Sequence, residues 1–189
     1  EHDLLDTLHS LQSEGVIQTQ ASDPPRYSLL RCVQSWARAE LKREGRWDAV
    51  SARHAAVLLD RAEAWIAAGR RGDEQALRRL GAERENLAAA YQRCLEDAPE
   101  RVSHAAWLVA EGAALTGRPT VELGRLDDMI RRSRRMGEDS VVAKLLDLRA
   151  AGRRRLGQVR EARDDLEEAL RLASRVDPPD LALQGRILA

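Results

Sequence analysis

The chain has 189 residues, 31 basic and 31 acidic, so its formal net charge is zero while a third of it is charged. That balance excludes a general electrostatic grip on nucleic acid or an anionic membrane, and no apolar run approaches the roughly 20 residues of a membrane span. Alanine, leucine, arginine and glutamate dominate and phenylalanine is absent, so leucine and four tryptophans must fill a helical core. Nothing resembles a signal peptide, so the expected compartment is the cytoplasm. The chain starts at Glu1 and stops at Ala189 inside an apolar-patterned stretch (Leu181, Ile187, Leu188), and reads as a segment of something longer.

Over residues 3–14, Leu4, Leu5, Leu8 and Leu11 recur at helical spacing, and Gly15 closes the helix. Residues 16–19 and 27–30 are short β-prone runs flanking the turn-rich Ser22-Asp23-Pro24-Pro25, which predicts a hairpin. Helix, hairpin, helix is the order of the C-terminal half of a winged helix, and strands are expected nowhere else. A helix follows over residues 31–44 with Val33, Trp36, Ala37 and Leu41 inward, stopped at Gly45. The next covers 47–68, with Val50, His54, Val57, Leu58, Ala62 and Trp65 on its inner side. Gly69-Arg70-Arg71-Gly72 then reads as a linker and Asp73 as an N-cap. From 74 to 96, Leu77, Leu80, Arg84, Leu87, Tyr91 and Cys94 hold one helical period, and Pro99 suits the first turn of a further helix.

Residues 141–176 read as two helices and a tight turn. Val141, Leu145, Leu148, Gly152 and Leu156 form one stripe, and Gly157 ends that helix where a left-handed residue is cheapest. Ala162, Leu166, Ala169 and Leu170 form the second stripe, before Pro178-Pro179 forbids continuation. Shifted back by 40 residues, Gly157 falls on Gly117, Gly152 on Gly112, Leu148 on Leu108, Leu166 on Leu126 and Arg171 on Arg131. Met129 and Met136 fall opposite Ala169 and Val176, apolar for apolar. A period of this size marks a helical solenoid, in which each hairpin covers its neighbour's apolar face. Two units are fewer than the roughly three such arrays need, so the missing contacts must come from upstream helices, a partner or further chain.

These residues resemble a tetratricopeptide-type (TPR) repeat of longer period: Gly157, Ala162, Leu166 and Ala169 sit at the family's spacing, with Arg153 at the usual aromatic position. A second resemblance lies upstream. Arg26-Tyr27-Ser28-Leu29-Leu30, Val33, Trp36-Ala37 and Arg53-His54-Ala55-Ala56 lead to Leu80-Gly81-Ala82-Glu83-Arg84-Glu85-Asn86-Leu87-Ala88-Ala89-Ala90. In that order they resemble the junction in large bacterial signal-transduction ATPases of the STAND class, where a winged helix passes into a TPR sensor region; antibiotic-production and LuxR-type transcriptional regulators are similar. The resemblance implies a mainly α chain: a partial winged helix with a short β-hairpin (1–45), a helical linker bundle (46–98) and a TPR-like α-α superhelix (99–189). It implies a non-catalytic sensing segment that binds a protein or peptide partner on its repeats. ATP or ADP is expected on an upstream nucleotide-binding module, with no cofactor here. At the place of the family's Met-His-Asp triplet stand Leu29, Leu30 and Arg31, so no nucleotide contact carries over.

No catalytic constellation is legible. A phosphate-binding loop needs glycines around Lys-Ser/Thr, whereas Lys42 and Lys144 precede Arg43 and Leu145. His2 and His9 lack metal-ligand company, His54 reads as a hydrogen-bonded core histidine, and Cys32 and Cys94 as buried free thiols. Glu161, Asp164, Asp165, Glu167 and Glu168 run among arginines as on a solvated face. Trp36, Trp47 and Trp65 fit a core. The repeat register sends His104, Trp107 and Glu111 of one unit, and Lys144, Asp147, Arg154 and Arg155 of the next, to a shared groove as candidate partner-binding residues. Trp107 can anchor a partner there or pack between hairpins. The rival function is a DNA-binding winged-helix regulator, but residues 4–11 lack the basic, polar face of a recognition helix, and the runs Arg131-Arg132, Arg134-Arg135 and Arg153-Arg154-Arg155 lie among acids.

Overall fold

Glycine stops and apolar runs become ten α-helices and one two-stranded antiparallel hairpin in a computed structural model that describes residues 2–20, 26–117, 123–176 and 179–188. The chain is mainly α. The turn expected at Ser22-Asp23-Pro24-Pro25, and Pro178, lie outside the described residues. None of the described helices is long and apolar enough to cross a membrane. Packing separates Glu1–Ser51 from Ala52–Ala189, with the boundary inside one long helix.

The first unit holds α1 (His2–Ser13), β1 (Ile17–Gln20), β2 (Arg26–Leu29), α2 (Arg31–Arg43) and the start of α3 (Trp47–Arg70). The strands pair antiparallel with Ile17 opposite Leu29 and Thr19 opposite Tyr27. Ile17 is the one buried hydrophobic side chain among the unit's described residues. The leucine stripe of α1 and the inner face expected of α2 are therefore largely uncovered: Leu4 and Leu5 are exposed, α2 buries nothing, and Trp36 is 67% exposed. Cys32 is exposed as well, against the expectation of a buried thiol. Trp47 is half-buried, with the Arg38 guanidinium 4.8 Å above its ring.

The second unit continues α3 and adds α4 (Glu74–Ala82), α5 (Arg84–Asp97), a 3-10 turn (Pro99–Arg101), α6 (Val102–Leu115), α7 (Leu123–Arg135), α8 (Asp139–Arg155), α9 (Val159–Arg175) and α10 (Leu181–Leu188). The buried face of α3 is Ala55, Leu58, Leu59, Ala62, Ile66 and Gly69, rotated from the expected one. Ala55, Ala62 and Gly69 recur every seven residues on that face, and Val57 is exposed. His54 is consequently exposed, not a core histidine. Trp65 packs partly buried against the core. Gly69 and Arg70 close α3, and only the residues after them form the linker. Asp73 caps α4 by accepting from the backbone N–H of Gln75 and Ala76.

The expected helix over 74–96 is broken at Glu83, where α4 ends and α5 begins. The Glu-x-Glu-Asn-Leu segment sits at this joint: Asn86 Nδ2 donates to Glu83 Oε2 at 2.6 Å, and Leu87 is buried in the core. Arg84 is exposed, and Cys94 is buried, its thiol pushed up by that burial. Next comes α6, with nine of fourteen residues buried and apolar side chains nearly all round, as a central helix must be.

From α6 onward consecutive helices run antiparallel. Ser103 near the start of α6 meets Met136 just past the end of α7, Arg149 in α8 reaches back to Asp127 in α7, and Arg149 and Arg153 reach forward to Asp165 in α9. Gly117 and Gly157 both take left-handed φ (70° and 76°). At the second, Gly157 N–H bonds the Arg154 carbonyl and Gln158 N–H the Arg153 carbonyl, a Schellman closure. Gly112 and Gly152, also 40 apart, each admit a leucine from an earlier helix: a Cβ at Gly112 would lie 3.4 Å from Leu80 of α4, and one at Gly152 3.1 Å from Leu123 of α7.

The acidic run of α9 is not uniformly solvated. Asp165 is 3% exposed and accepts from Arg149 through two bonds and from Arg153 through a third, while Arg149 also holds Asp127. One carboxylate thus ties two turns of α8 to α9, and one guanidinium ties α7, α8 and α9 together. Arg153 clasps the hairpin, donating also to the Glu161 carbonyl. Arg134 bridges α7 to α9 through both oxygens of Glu168.

Candidate functional site

Position decides which side chains of α6 and α8 share a face. His104, Trp107 and Glu111 lie three and four residues apart on α6, and Lys144 and Asp147 are three apart on α8, the 40-residue equivalents of His104 and Trp107. The two helices pack together, and these five residues converge. The Lys144 ammonium lies 4.8 Å above the Trp107 ring, and the His104 ring stands 5.7 Å from it, tilted 43°. Trp107 is 6% exposed and belongs to the main core cluster, so it packs between helices with its ring beneath cations.

Two arginines complete the face. Arg70, the last residue of α3, places Nε 2.9 Å and Nη2 2.7 Å from Oε1 of Glu111, with its guanidinium 5.8 Å from the Trp107 ring. Arg186 on α10 puts Nη2 2.8 Å from Oδ2 of Asp147 and Nη1 3.8 Å from Oε1 of Glu111. Further out, Lys144 faces Asp180 at 3.7 Å and His104 faces Glu63 at 3.5 Å. Burial pushes the Asp147 carboxyl above the usual aspartate range; Arg186 opposes the rise and the Glu111 charge adds to it. Two polar atoms here are buried and lack a partner: Nε1 of Trp107 and Oε2 of Glu111.

Of the seven residues the sequence sends to this groove, His104, Trp107 and Lys144 meet directly, and Glu111 and Asp147 are joined through Arg186. Arg154 is exposed but near enough for its charge to act on Asp147. Arg155 is exposed, with no tie to the cluster. Arg70 and Arg186 were missed. The first stood in an apparent linker, and the second in a short terminal helix outside the two detected units. An arginine directly after a helix's last small residue was the available signal for Arg70. Among the described residues, no three His, Cys, Asp or Glu side chains converge as a metal site requires.

Comparison with protein-family models, with curated proteins and with solved structures found no match.

Proposed function

We propose that the chain is a non-catalytic sensing and protein-interaction segment of a STAND-type signal-transduction ATPase or transcriptional regulator. In this reading residues 1–45 are a partial winged helix, and the helices after residue 99 are TPR-like repeats that hold a protein or peptide partner on the α6/α8 face. The observation that carries it is the convergence of His104, Trp107, Glu111, Lys144 and Asp147 on that face, with two buried polar atoms left unpartnered. The antiparallel succession of α6 to α9 and the matched glycines 40 residues apart support the repeat reading.

The uncovered apolar side chains of the first unit (Leu4, Leu5, Tyr27, Leu29 and Trp36) suit a surface completed by the upstream nucleotide-binding module, where ATP or ADP would bind. The chain's own role is binding, with no reaction assigned to it, and its compartment is the cytoplasm. A DNA-reading role is set aside because Arg131, Arg134 and Arg153 are each held by a carboxylate and do not merge into one cationic patch.

Random peptides displayed on phage and selected on the full chain test this. The reading expects recovered peptides that protect α6 and α8 amides from hydrogen exchange and change about tenfold in affinity with Lys144→Glu. Peptides protecting neither helix would overturn it. Trp107→Ala is unsuited to the test, because emptying a buried tryptophan site costs about 3–5 kcal/mol of stability by itself.

A further inference from the structure

The α6/α8 face leaves hydrogen-bonding capacity open, and the groups around it specify what would fill it. The hydrogen bond from Arg70 Nε and the ion-pair contact of its Nη2 both fall on Oε1 of Glu111, while Oε2 is buried without a donor. A carboxylate oxygen in that state forfeits its hydration and gets nothing in exchange. The nearest further donor, Arg186, cannot supply it: its guanidinium is committed to Asp147 at 2.8 Å and stops 3.8 Å short of Glu111. Two sunken carboxylates, Glu111 at 4% exposure and Asp147 with 14% of its side chain exposed, therefore share one guanidinium that satisfies only the second.

The Trp107 ring beside them already has two cations over it, and its indole N–H is a buried donor without an acceptor. The site thus lacks one forked cationic donor and one carbonyl. An arginine residue in a peptide carries both. Arginine suits it better than lysine, since a planar fork can meet two carboxylates at once and an ammonium cannot. An acidic side chain would face two desolvated carboxylates.

Resting on the partner-binding reading above, we propose that this face receives an arginine-bearing segment of a partner protein. Its guanidinium seats between Glu111 and Asp147, and Arg186 of α10 occupies the seat when the partner is absent. Displacement follows from occupancy: the Arg186 guanidinium already stands at Asp147 with Glu111 next to it, so the incoming arginine must replace it. The chain's own α10 is then a competitor that sets the affinity threshold.

Fluorescence anisotropy on the full chain tests this with labelled neutral peptides carrying one central arginine, lysine, citrulline or glutamate. The arginine peptide is expected to bind, and to bind about tenfold tighter to Arg186→Gln; in that background Asp147→Asn loses about tenfold. Lysine and citrulline peptides bind at least about tenfold more weakly than arginine. Glu111→Gln is expected to act like Asp147→Asn. Where it fails to fold for want of Arg70's partner, hydrogen-exchange protection of α6 and α8 by the arginine peptide, on the unaltered chain, stands in its place. Equal binding of citrulline, no gain in Arg186→Gln, or preference for glutamate overturns the inference. Glutamate peptides held on α6 and α8 would do so while leaving the partner-binding reading intact. No binding of any peptide up to about 1 mM means that water alone fills the open capacity, which also overturns it, and the display selection then decides the parent reading.

Discussion

Asp165→Ala tests whether ionic ties, as well as apolar packing, hold α7, α8 and α9 in their order. In the folded chain Asp165 is buried and accepts two bonds from Arg149 and one from Arg153. Burial works against the Arg149 charge, yet its bonds to Asp165 and Asp127 outweigh that and leave its pKa above the ordinary arginine value. Deleting the Asp165 carboxylate strands a guanidinium of 13% side-chain exposure on Asp127, which is itself partly in water. Breaking a buried pair from one side costs about 3–5 kcal/mol, and the surviving Asp127 contact places this case near the lower end, about 3 kcal/mol.

The fitting control is Arg163→Ala, which removes an i,i+4 pair with Glu167 on the solvated side of the same helix and is expected to cost under about 0.5 kcal/mol. Urea titration followed by far-ultraviolet circular dichroism reads both. The double variant Asp165→Leu/Arg149→Met, which removes both buried charges together, is expected to regain most of the loss. If Asp165→Ala falls within about 1 kcal/mol of Arg163→Ala, the cluster is decoration, and apolar packing alone sets the helix order.

Three further outcomes follow from local geometry. Asp73→Ala removes the acceptor for two backbone N–H groups at the start of α4 and should cost about 1 kcal/mol in the same titration, with Asp73→Asn nearly neutral. Gly157→Ala forces a side chain into a left-handed conformation with empty space around it, so about 1–2 kcal/mol should be lost from backbone strain alone. Burial raises the Asp147 carboxyl, so the folded chain holds that proton more tightly than the unfolded chain does. Its contribution to folding is present below the unfolded value and lost as pH rises through the raised one. Wild-type stability relative to Asp147→Asn should therefore grow as pH falls from neutral into the carboxylate range, and a flat gap between their denaturation midpoints would contradict this.

What the sequence showed clearly was its punctuation and its period. Gly15, Gly45, Gly117 and Gly157 end helices or turns where expected, and the 40-residue shift puts His104 and Trp107 in the same register as Lys144 and Asp147. What it hid was the rotation of individual helices. On α3 a reading weighted toward large apolar side chains turned Val57 inward, whereas the buried face is Ala55, Leu58, Leu59, Ala62, Ile66 and Gly69. Asp165 was hidden for a related reason: within an acidic run, the member that meets two arginines one helical turn apart on the facing helix looks like its solvated neighbours.

Trp107 shows how the two kinds of information combine at the face itself. A tryptophan at a groove position invites the reading of an aromatic anchor, yet at 6% exposure no partner side chain can stack on its ring without displacing Lys144 or Arg70. The ring is therefore a floor that fixes where those two cations stand, and discrimination falls to charges above it. A face built this way gains little from apolar contact with a partner. In the proposed reading such a face tests whether an incoming group can replace one of its own cations, which makes the α10 arginine, and not the tryptophan, the side chain whose substitution separates binding from folding.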